Sequence, residues 1–533
     1  MSRIAAILAV LLLALGPAAA GLHAAAVLPP PSAVEELYAA RGGAPLWIGG
    51  DVAAVARRGV MLALLAAEER LDPAGANTAA LAAAFAKLAP ADQRAPERGL
   101  TRASLGYLAR RSGGTPVPAE RALRALRRLD GVDATAPLAL ALTQLEIVRE
   151  LGGWHEVGTV PGPAPTAAPL TLVSPEVDVA PAFPRRKRLP EIGSLRRRLI
   201  QSLDLSATYR EGEAMDAHLA EAVRGFQRRH GLTADGVVGA RTLAALNTRV
   251  PGNIAQVRLN LARRHDDRGH LPRYVEVNLP GYELRLVDHG KVALRSRVIV
   301  GDEDSPTPVF DDLIRTVEVN PFWYVPRSIE QELVEQEQKK PGYLAAKGFY
   351  WRPSASGVEP ERLIQRPGPE NALGRVKFLF PNHHAVYLHD TPKPGLFGRS
   401  QRGLSHGCVR VERWRELALA LLGAQDWDSP RLDRTLASGK TRRIDLEQPV
   451  PVFLDYRTAF VDDHGRLNLR ADLYGHDRAG ITVFEDKGLP PEPPPTMAGA
   501  PRVGPAATPR PPEPAAGSIP AAFLETPATR PSL

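Results

Sequence analysis

The sequence predicts an α+β multidomain protein that is helical in its first half and mostly β in its later part. Its 533 residues exceed what one hydrophobic core normally holds. From Ser32 to about Phe183, alanine, leucine and arginine recur with helical spacing. From Arg273 onwards, apolar and polar residues alternate as they do in strands.

The N-terminus is typical of a secretory signal peptide, which we assign to residues 1–26. Arg3 precedes an apolar run from Ile4 to Leu15, and small residues follow. The run is short for a membrane span, although an uncleaved anchor is the alternative. No later segment reaches transmembrane length. We therefore expect a periplasmic protein without a stable transmembrane span.

The formal net charge of +8 would suit a polyanionic partner. An exported chain rarely meets nucleic acid, so an anionic envelope surface or the murein sacculus is the expected counterpart. Simple basicity of an exported protein explains the charge equally well. The single cysteine, Cys408, cannot pair within the chain, and a free thiol in an oxidising compartment favours a chemical role.

A helical domain is predicted over residues 32–185. Its predicted helices are Val34 to Ala40, Val52 to Glu69, Thr78 to Leu88, Glu120 to Leu129 and Leu138 to Leu151. A second helical unit is predicted over residues 190–250. Its helices are Leu195 to Ser202, Ala214 to His230 and Ala240 to Asn247, and Val223, Phe226 and Leu232 would supply its core.

The β-rich part is assigned to residues 255–326 and 367–460, interrupted by an insertion at 327–366. The predicted strands are Tyr274 to Asn278, Glu283 to Val287, Ala293 to Val300, Ile314 to Val319, Val376 to Phe380, Ala385 to His389, Val450 to Tyr456 and Leu467 to Ala471. Helices are expected at Ile329 to Lys339 and Trp414 to Leu422. Residues 461–487 form a C-terminal extension, and the proline-rich tail from 488 to 533 is predicted to be disordered.

The candidate catalytic residues are Cys408, His389 and Gly407. An imidazole near a thiol either lowers the pKa of the thiol or takes its proton, and the pair can then form a covalent acyl intermediate. Gly407 allows a tight turn, so that its N–H and that of Cys408 could form an oxyanion hole. A buried Cys and a core His are the alternative. A metal site at His383, His384, His389, His406 and Cys408 is less favoured, because no closed ligand spacing is present.

The segment Ser405-His406-Gly407-Cys408-Val409-Arg410, with His389 upstream, resembles the signature of the L,D-transpeptidases, the YkuD-domain enzymes that cross-link peptidoglycan. Val300-Gly301 with Thr307-Pro308, and Asn320-Pro321 with Trp323, Val325 and Pro326, match further elements of that catalytic domain. Leu37 to Arg41 with Ala44 to Trp47 resembles the start of the scaffold domain of the large members. Residues Ala222 to Leu232 and those behind them resemble a three-helix peptidoglycan-binding domain, although this unit could also be only a spacer.

The resemblance implies a cysteine enzyme that takes a tetrapeptide stem as donor, releases the terminal D-alanine and forms a 3→3 cross-link with a second stem. Water as acceptor would make a carboxypeptidase, and a lipoprotein would make an attachment enzyme. The resemblance also implies that carbapenems acylate Cys408. It implies no metal or organic cofactor. Other murein synthases are candidate partners. The alternative to an enzyme is a murein-binding protein whose catalytic site has decayed. The joint presence of four motif residues argues against it: His389, Gly407, Cys408 and Arg410.

Five residues are expected to bind substrate or orient the loop: Arg410, His406, Ser405, Tyr387 and Trp323. Arg410 would bind a carboxylate or brace the loop, a structural ion pair being the alternative. His406 and Ser405 would orient the loop, and His406 is a second candidate base. Tyr387 and Trp323 would line the donor groove or simply pack. By the resemblance, the insertion is a capping subdomain that holds stems and excludes water, unless it is a plain surface insertion.

Overall fold

The computed structural model describes residues 29–48, 52–69, 77–87, 93–161, 188–263, 268–353, 361–478 and 480. The predicted signal peptide, residues 162–187 at the end of the first predicted helical domain, and the proline-rich tail lie outside these residues. Within the described ranges, no helix is both long enough and apolar enough to cross a bilayer.

Six helices build the N-terminal part. They are α1 (Pro31–Ala39), α2 (Val52–Glu69), α3 (Thr78–Lys87), α4 (Arg94–Arg111), α5 (Ala119–Leu126) and α6 (Pro137–Glu150). Five of them agree with the sequence prediction within a few residues, but α4 was not predicted. Pro96, Gly99 and Gly106 interrupt its pattern, yet it is the most buried helix of the group because α1, α2 and α3 all pack around it.

A short ribbon of β1 (Thr159–Pro161) and β2 (Arg188–Pro190) leads into a second helical unit. This unit contains α7 (Ile192–Gln201), α8 (Ala217–Arg229), α9 (Ala240–Leu246) and the unpredicted α10 (Val250–Ala262). Val223 and Phe226 lie in its core as predicted, whereas Leu232 is only half-buried. Helix α10 packs against α6, so the two helical parts share a boundary.

The remaining strands, from residue 273 onwards, form the β-rich part. They are β3 (Arg273–Asn278), β4 (Glu283–Asp288), β5 (Lys291–Gly301), β6 (Phe310–Val319), β7 (Trp323–Tyr324), β8 (Phe349–Arg352), β9 (Arg362–Gln365), β10 (Val376–Leu379), β11 (Leu388–His389), β12 (Gly403–Ser405), β13 (Val409–Val411), β14 (Arg442–Asp455), β15 (Ala459–Val461) and β16 (Leu467–Leu469). Nine of them form one mixed sheet in the order β12-β5-β13-β11-β10-β6-β14-β3-β4.

This sheet closes on itself, because the first part of β5 also pairs with β4. The far end of β5 pairs with β13 on one side and with β12 on the other. Side chains from every second position fill the interior, including Val298, Val317, Leu388 and Val409. β5 therefore pairs with both β12 and β13, and so anchors the two ends of the loop between them.

Two helices, α13 (Trp414–Leu422) and α14 (Ser429–Ala437), follow β13, and Leu417 and Leu432 pack into the core of the sheet. The predicted strand from Ala385 to His389 is shorter than expected. Ala385 has a positive φ of 54°, and the Asn382 side chain holds the preceding turn by accepting from the Val386 N–H at 3.1 Å. Only Leu388 and His389 remain extended in the sheet.

The segment between β6 and β10 forms a small subdomain that we call the cap. It contains helices α11 (Arg327–Lys339) and α12 (Tyr343–Ala346) and a sheet in the order β7-β9-β8. Its core joins Trp323, Leu344, Phe349 and Leu363, and Tyr387 of the main sheet packs against it. Because β7 pairs with β9, the cap sheet starts at Trp323, before the predicted insertion.

Candidate active site

The register of β11 and β13 brings the predicted catalytic residues together. The two strands are parallel, with Leu388 opposite Val409 and His389 opposite Arg410. Leu388 and Val409 face the core, so their neighbours Tyr387, His389, Cys408 and Arg410 share the opposite face. His389 ends β11 and Cys408 directly precedes β13, so these residues, nineteen positions apart in the sequence, lie at neighbouring strands on the same side of the sheet.

His389 is held as a neutral base. Its Nδ1 lies 2.5 Å from the Asp390 carbonyl oxygen. A carbonyl can only accept, so Nδ1 carries the proton in the neutral ring and Nε2 is its basic nitrogen. The Leu373 backbone also forms a hydrogen bond to this imidazole. Burial, together with the charge of Arg410, lowers the pKa of His389 to about 3. The imidazole is therefore unprotonated at neutral pH.

Cys408 is a half-buried free thiol whose Sγ lies 3.8 Å from the Ala385 carbonyl oxygen. Burial raises the pKa of Cys408, although hydrogen bonds from Tyr387 and the charges of Lys377 and Arg410 act in the opposite direction. The resting site is thus a neutral thiol beside a neutral imidazole. An ion pair with the thiolate would need a protonated imidazole, whereas burial keeps His389 neutral.

The loop before Cys408 is fixed by hydrogen bonds to its carbonyl groups. Gly407 has a φ of 104°, a conformation that residues with a Cβ rarely adopt. Thr307 Oγ1 donates to the Gly407 carbonyl at 2.7 Å, and Ser405 Oγ donates to the Cys408 carbonyl at 2.6 Å. Within the described part of the chain, the N–H groups of Gly407 and Cys408 donate to no acceptor. They are available for an oxyanion.

Arg410 brings a positive charge to this face without a carboxylate partner. It forms no ion pair within the described ranges, and its Nε is buried without a hydrogen-bond acceptor there. The structural ion pair considered from the sequence is therefore absent from the described residues. A guanidinium without an acidic partner among the described residues suits a carboxylate ligand, which it can bind through two parallel hydrogen bonds.

A row of charged residues, unrecognised in the sequence, continues across the sheet from the candidate base. Lys377 stands opposite His389, and Glu318 stands opposite both Lys377 and Arg443. The Lys377 ammonium lies 3.9 Å from the centre of the Tyr387 ring, and Arg443 Nε donates to Glu318 at 2.5 Å. The alternation of Val376, Lys377 and Phe378 was the available signal, since it places Lys377 on the outer face.

The other predicted substrate residues connect the site to the cap. Tyr387 lies beside His389, with ring centres 5.7 Å apart, and also contacts Trp323 of β7. Trp323 is buried against Phe349, with 5.9 Å between ring centres. His406 Nε2 is 3.6 Å from Glu332 Oε2 of helix α11. Ser405 is buried and its hydroxyl is engaged inside the loop. The cap therefore meets the cysteine loop through Tyr387 and His406.

Thr307 and Tyr474 support the loop from behind, and neither was singled out from the sequence as a functional residue. Thr307 Oγ1 also accepts from the Gly301 N–H at 2.8 Å. The Tyr474 hydroxyl donates to the Gly301 carbonyl at 2.8 Å and accepts from the Thr307 N–H at 3.3 Å. The Thr307-Pro308 pair was visible as a motif, but nothing in the sequence pointed to Tyr474.

A metal centre finds no support in the arrangement of ligands. Across the described ranges, no three His, Cys, Asp or Glu side chains are grouped to hold an ion. His384 packs against Phe310 at 5.1 Å between ring centres, and His389 donates to a carbonyl.

Comparison with known proteins identifies three regions of the chain. Residues 272–424 match the family model described as "L,D-transpeptidase catalytic domain" (YkuD). Residues 188–246 match "Putative peptidoglycan binding domain", and residues 32–152 match "Scaffold domain". A curated relative from Haemophilus influenzae, named "Putative L,D-transpeptidase", is 38% identical over 218 residues, which cover 38% of this chain and 44% of the relative. The match therefore spans less than half of that relative.

Similar solved structures include two crystal structures of L,D-transpeptidases. The one from Stackebrandtia nassauensis is 15% identical, with 50% of this chain and 91% of that chain covered and a TM-score of 0.21. The one from Xylanimonas cellulosilytica is 21% identical, with 52% and 100% covered and a TM-score of 0.19. These scores are too low to carry a structural argument, so the assignment rests on the family models and the curated relative. This chain contains a YkuD-type L,D-transpeptidase catalytic domain, preceded by a scaffold domain and a peptidoglycan-binding domain.

Proposed function

We propose that this protein is an exported, cysteine-dependent L,D-transpeptidase that forms 3→3 cross-links between peptidoglycan stems in the periplasm. The observation that carries the proposal is the shared face of Cys408, His389 and Arg410 within the matched catalytic domain. These side chains supply a nucleophile, a base and a cation for a carboxylate substrate, as an acyl transfer to and from the cysteine requires.

The first half-reaction forms a thioester. His389 Nε2 takes the proton of the Cys408 thiol while Sγ attacks the carbonyl carbon of the third stem residue. The N–H groups of Gly407 and Cys408 bind the resulting oxyanion. The tetrahedral intermediate then collapses, the C–N bond breaks, and the imidazolium gives its proton to the departing amine of D-alanine.

The second half-reaction transfers the acyl group to the side-chain amine of a neighbouring stem. That amine attacks the thioester carbonyl and gives a proton to His389. The C–S bond breaks, and the proton returns from the imidazolium to the sulfur, which restores the thiol. The cap supports transfer to an amine over hydrolysis, because a covered thioester is shielded from water.

Arg410 binds a carboxylate of the donor stem in this proposal. Its guanidinium lies next to Cys408 on the same face and has no acidic partner among the residues that the structure describes. Peptidoglycan stems carry free carboxylates close to the bond that is cleaved. The peptidoglycan-binding domain adds a second route to the same polymer, which supports murein as the substrate.

The test is an intact-mass measurement on wild type and Cys408→Ala after incubation with disaccharide-tetrapeptide, with product muropeptides analysed alongside. We expect a thiol-dependent adduct and a 3→3 dimer for wild type, and neither for Cys408→Ala. An adduct that yields only tripeptide would indicate a carboxypeptidase. A wild-type protein that sediments with sacculi but forms no adduct and changes no muropeptide would be a binding protein, and the proposal would be wrong. A carbapenem added separately tests acylation of Cys408 by a second electrophile.

A further inference from the structure

A second cationic site lies far in sequence from the cysteine, where the helical parts meet the β15–β16 hairpin. It is a cavity of about 60 Å³. We call it the arginine cavity; its wall includes Arg111 of α4, Trp154, Arg198 of α7, Arg229 of α8 and Arg466 of the hairpin turn. No aspartate or glutamate lines it among the described residues. The exposed Gly465 also forms part of its wall, so the cavity reaches the surface beside the turn.

Arg111 and Arg198 are almost completely buried here, with 3% and 1% exposure. Arg111 Nη1 donates to the Gln201 carbonyl at 2.7 Å, and Arg198 Nε donates to the Leu246 carbonyl at 2.8 Å. Three of their nitrogens, Nε and Nη2 of Arg111 and Nη1 of Arg198, are buried and make no hydrogen bond of normal geometry within the described ranges. The Tyr107 hydroxyl is near Arg111, which lowers the pKa of Tyr107 against the effect of burial. Neither guanidinium forms an ion pair with a described carboxylate.

The neighbouring arginines are different because each has an acidic partner. Arg229 Nε donates to Asp204 at 3.0 Å, and Arg466 Nε lies 3.4 Å from Asp462. Asp204 also attracts Arg198 through space, but neither Arg111 nor Arg198 has a carboxylate within ion-pair distance among the described residues. Burial lowers the pKa of Arg198 to about 9, which still leaves it charged at neutral pH.

Trp154 adds another unsatisfied donor to the same space. The Arg198 guanidinium lies 4.1 Å from the centre of its indole ring. The indole Nε1–H is buried and has no acceptor in the described part of the chain. Buried charges and donors are unfavourable unless they are paired, so donors converging on one cavity indicate a missing acceptor with negative charge.

We propose that the arginine cavity binds a small oxyanion, a carboxylate or phosphate group, between Arg111 and Arg198. Planar guanidinium groups suit such groups because they form parallel hydrogen bonds to two oxygens. The group could be a free anion or the carboxylate of a peptidoglycan stem. Since the wall is built from the scaffold helices, the peptidoglycan-binding helices and the C-terminal hairpin, a bound anion would tie these three parts together.

The experiment is calorimetric titration of the full chain carrying Cys408→Ala, which prevents turnover of the peptide, and Arg410→Gln, which removes the carboxylate site proposed beside the cysteine. Inorganic phosphate, an acidic tetrapeptide stem and the same peptide with amidated carboxylates are titrated at constant ionic strength. We expect one phosphate or one acidic peptide per chain. Arg111→Gln and Arg198→Gln should each weaken binding at least about tenfold, the effect of losing one charge-assisted hydrogen bond. Arg197→Gln is the matched control, because Arg197 is on the same helix but does not line the cavity.

The outcomes separate the two sources. A stem carboxylate is supported if the acidic peptide binds and competes with phosphate while the amidated peptide does not bind. A free anion is supported if only phosphate binds. Absence of binding of both ligands to the parent protein overturns the proposal, whatever the variants do. Binding that both cavity variants retain at full strength also overturns it. Thermal unfolding of each variant in chloride checks folding, and phosphate should raise the unfolding temperature only when both arginines are present.

Discussion

Thr307 and Gly407 are joined by a 2.7 Å hydrogen bond from the Thr307 hydroxyl to the Gly407 carbonyl. The same hydroxyl oxygen accepts from the Gly301 N–H, and Thr307 is fully buried. One side chain thus connects the end of β5 to the residue that precedes Cys408. Because the Gly407 carbonyl is held on this side, the N–H groups of Gly407 and Cys408 remain free for an oxyanion.

Replacing Thr307 with valine should slow acylation of Cys408. Valine keeps the shape but leaves the Gly301 N–H and the Gly407 carbonyl without their shared partner. At about 1–3 kcal/mol for an unmade buried hydrogen bond, the expected loss is about 5-fold to 150-fold. The rate is followed by intact mass, and Thr307→Ser should recover most of it. Equal rates for valine and wild type would show that the loop does not depend on this bond.

Alkylation of Cys408 should follow the titration of a buried thiol. Burial raises its pKa, and His389 with a pKa of about 3 supplies no imidazolium to stabilise a thiolate. Iodoacetamide should therefore react slowly at pH 7 and faster as the pH rises above the ordinary cysteine range. The measurement is the rate of mass increase at several pH values, with Cys408→Ala as the unreactive control. A fast, pH-independent rate between pH 5 and 8 would instead indicate a thiolate–imidazolium pair.

Arg410→Gln should reduce kcat/KM for the tetrapeptide donor by about 10-fold to 100-fold, the range expected for a hydrogen bond to a charged group. A bracing role and a binding role make different predictions. If Arg410 binds the donor carboxylate, wild type and variant should turn over an amidated donor at similar rates. Loss of activity toward both donors would assign Arg410 a structural role.

Gly374 should not tolerate alanine. Its φ is 63°, and a Cβ there would overlap the carboxylate of Asp390, whose Oδ2 accepts from the Arg375 N–H at 2.8 Å. We expect a loss of about 1–3 kcal/mol from backbone strain alone, with reduced activity because Asp390 also carries the carbonyl that orients His389. Unfolding and acylation are both measured. Gly395→Ala is the control, since open space surrounds that position.

The buried neutral His389 should make the catalytic domain less stable in mild acid. Its pKa is about 3 in the folded chain and 6.5 for the ordinary side chain. As the pH falls below 6.5, the unfolded chain binds this proton first, so folding stability declines between pH 6.5 and 3. At pH 5 the loss is about 2 kcal/mol relative to pH 7.

His389→Gln should lack this part of the pH dependence. Hydrogen exchange of the peptide that spans β10 and β11, compared at pH 7 and pH 5 after correction for intrinsic rates, measures the difference. Other titrating groups, including His230, are present in both proteins and cancel. An identical pH dependence in the two proteins would contradict a buried neutral His389.

The sequence predicted those features that depend on local pattern or motif. Alternation identified β3 to β6, and the His389 to Arg410 segment supplied the candidate nucleophile and the candidate base. Helix α4 was missed because Pro96, Gly99 and Gly106 weaken a local pattern that burial among three helices compensates. Tertiary packing, rather than helix propensity, decides that segment.

The supports of the cysteine loop could not be predicted, since they come from distant parts of the chain. The hydrogen-bonded residues Tyr474 and Thr307 are 167 positions apart in the sequence, and Thr307 and Gly407 are 100 positions apart. The pairing of Arg410 with Ile299 and of Ser405 with Gly301 also depends on how the sheet closes. The same holds for the arginine cavity, whose wall is assembled from three separate regions. Only the folded arrangement shows which arginines lack an acidic partner.

Closure of the sheet fixes the strands beside the cysteine loop but leaves the cap free to vary in sequence and length. The strand pairs on either side of the cysteine loop are fixed by β5, whereas the connection between β6 and β10 lies outside every one of those pairs. The chain can therefore be lengthened or redesigned in the cap without shifting the register of β11 or β13. In the proposed transpeptidase, donor and acceptor preference could therefore diverge in the cap while the strands that hold Cys408 and His389 stay in place.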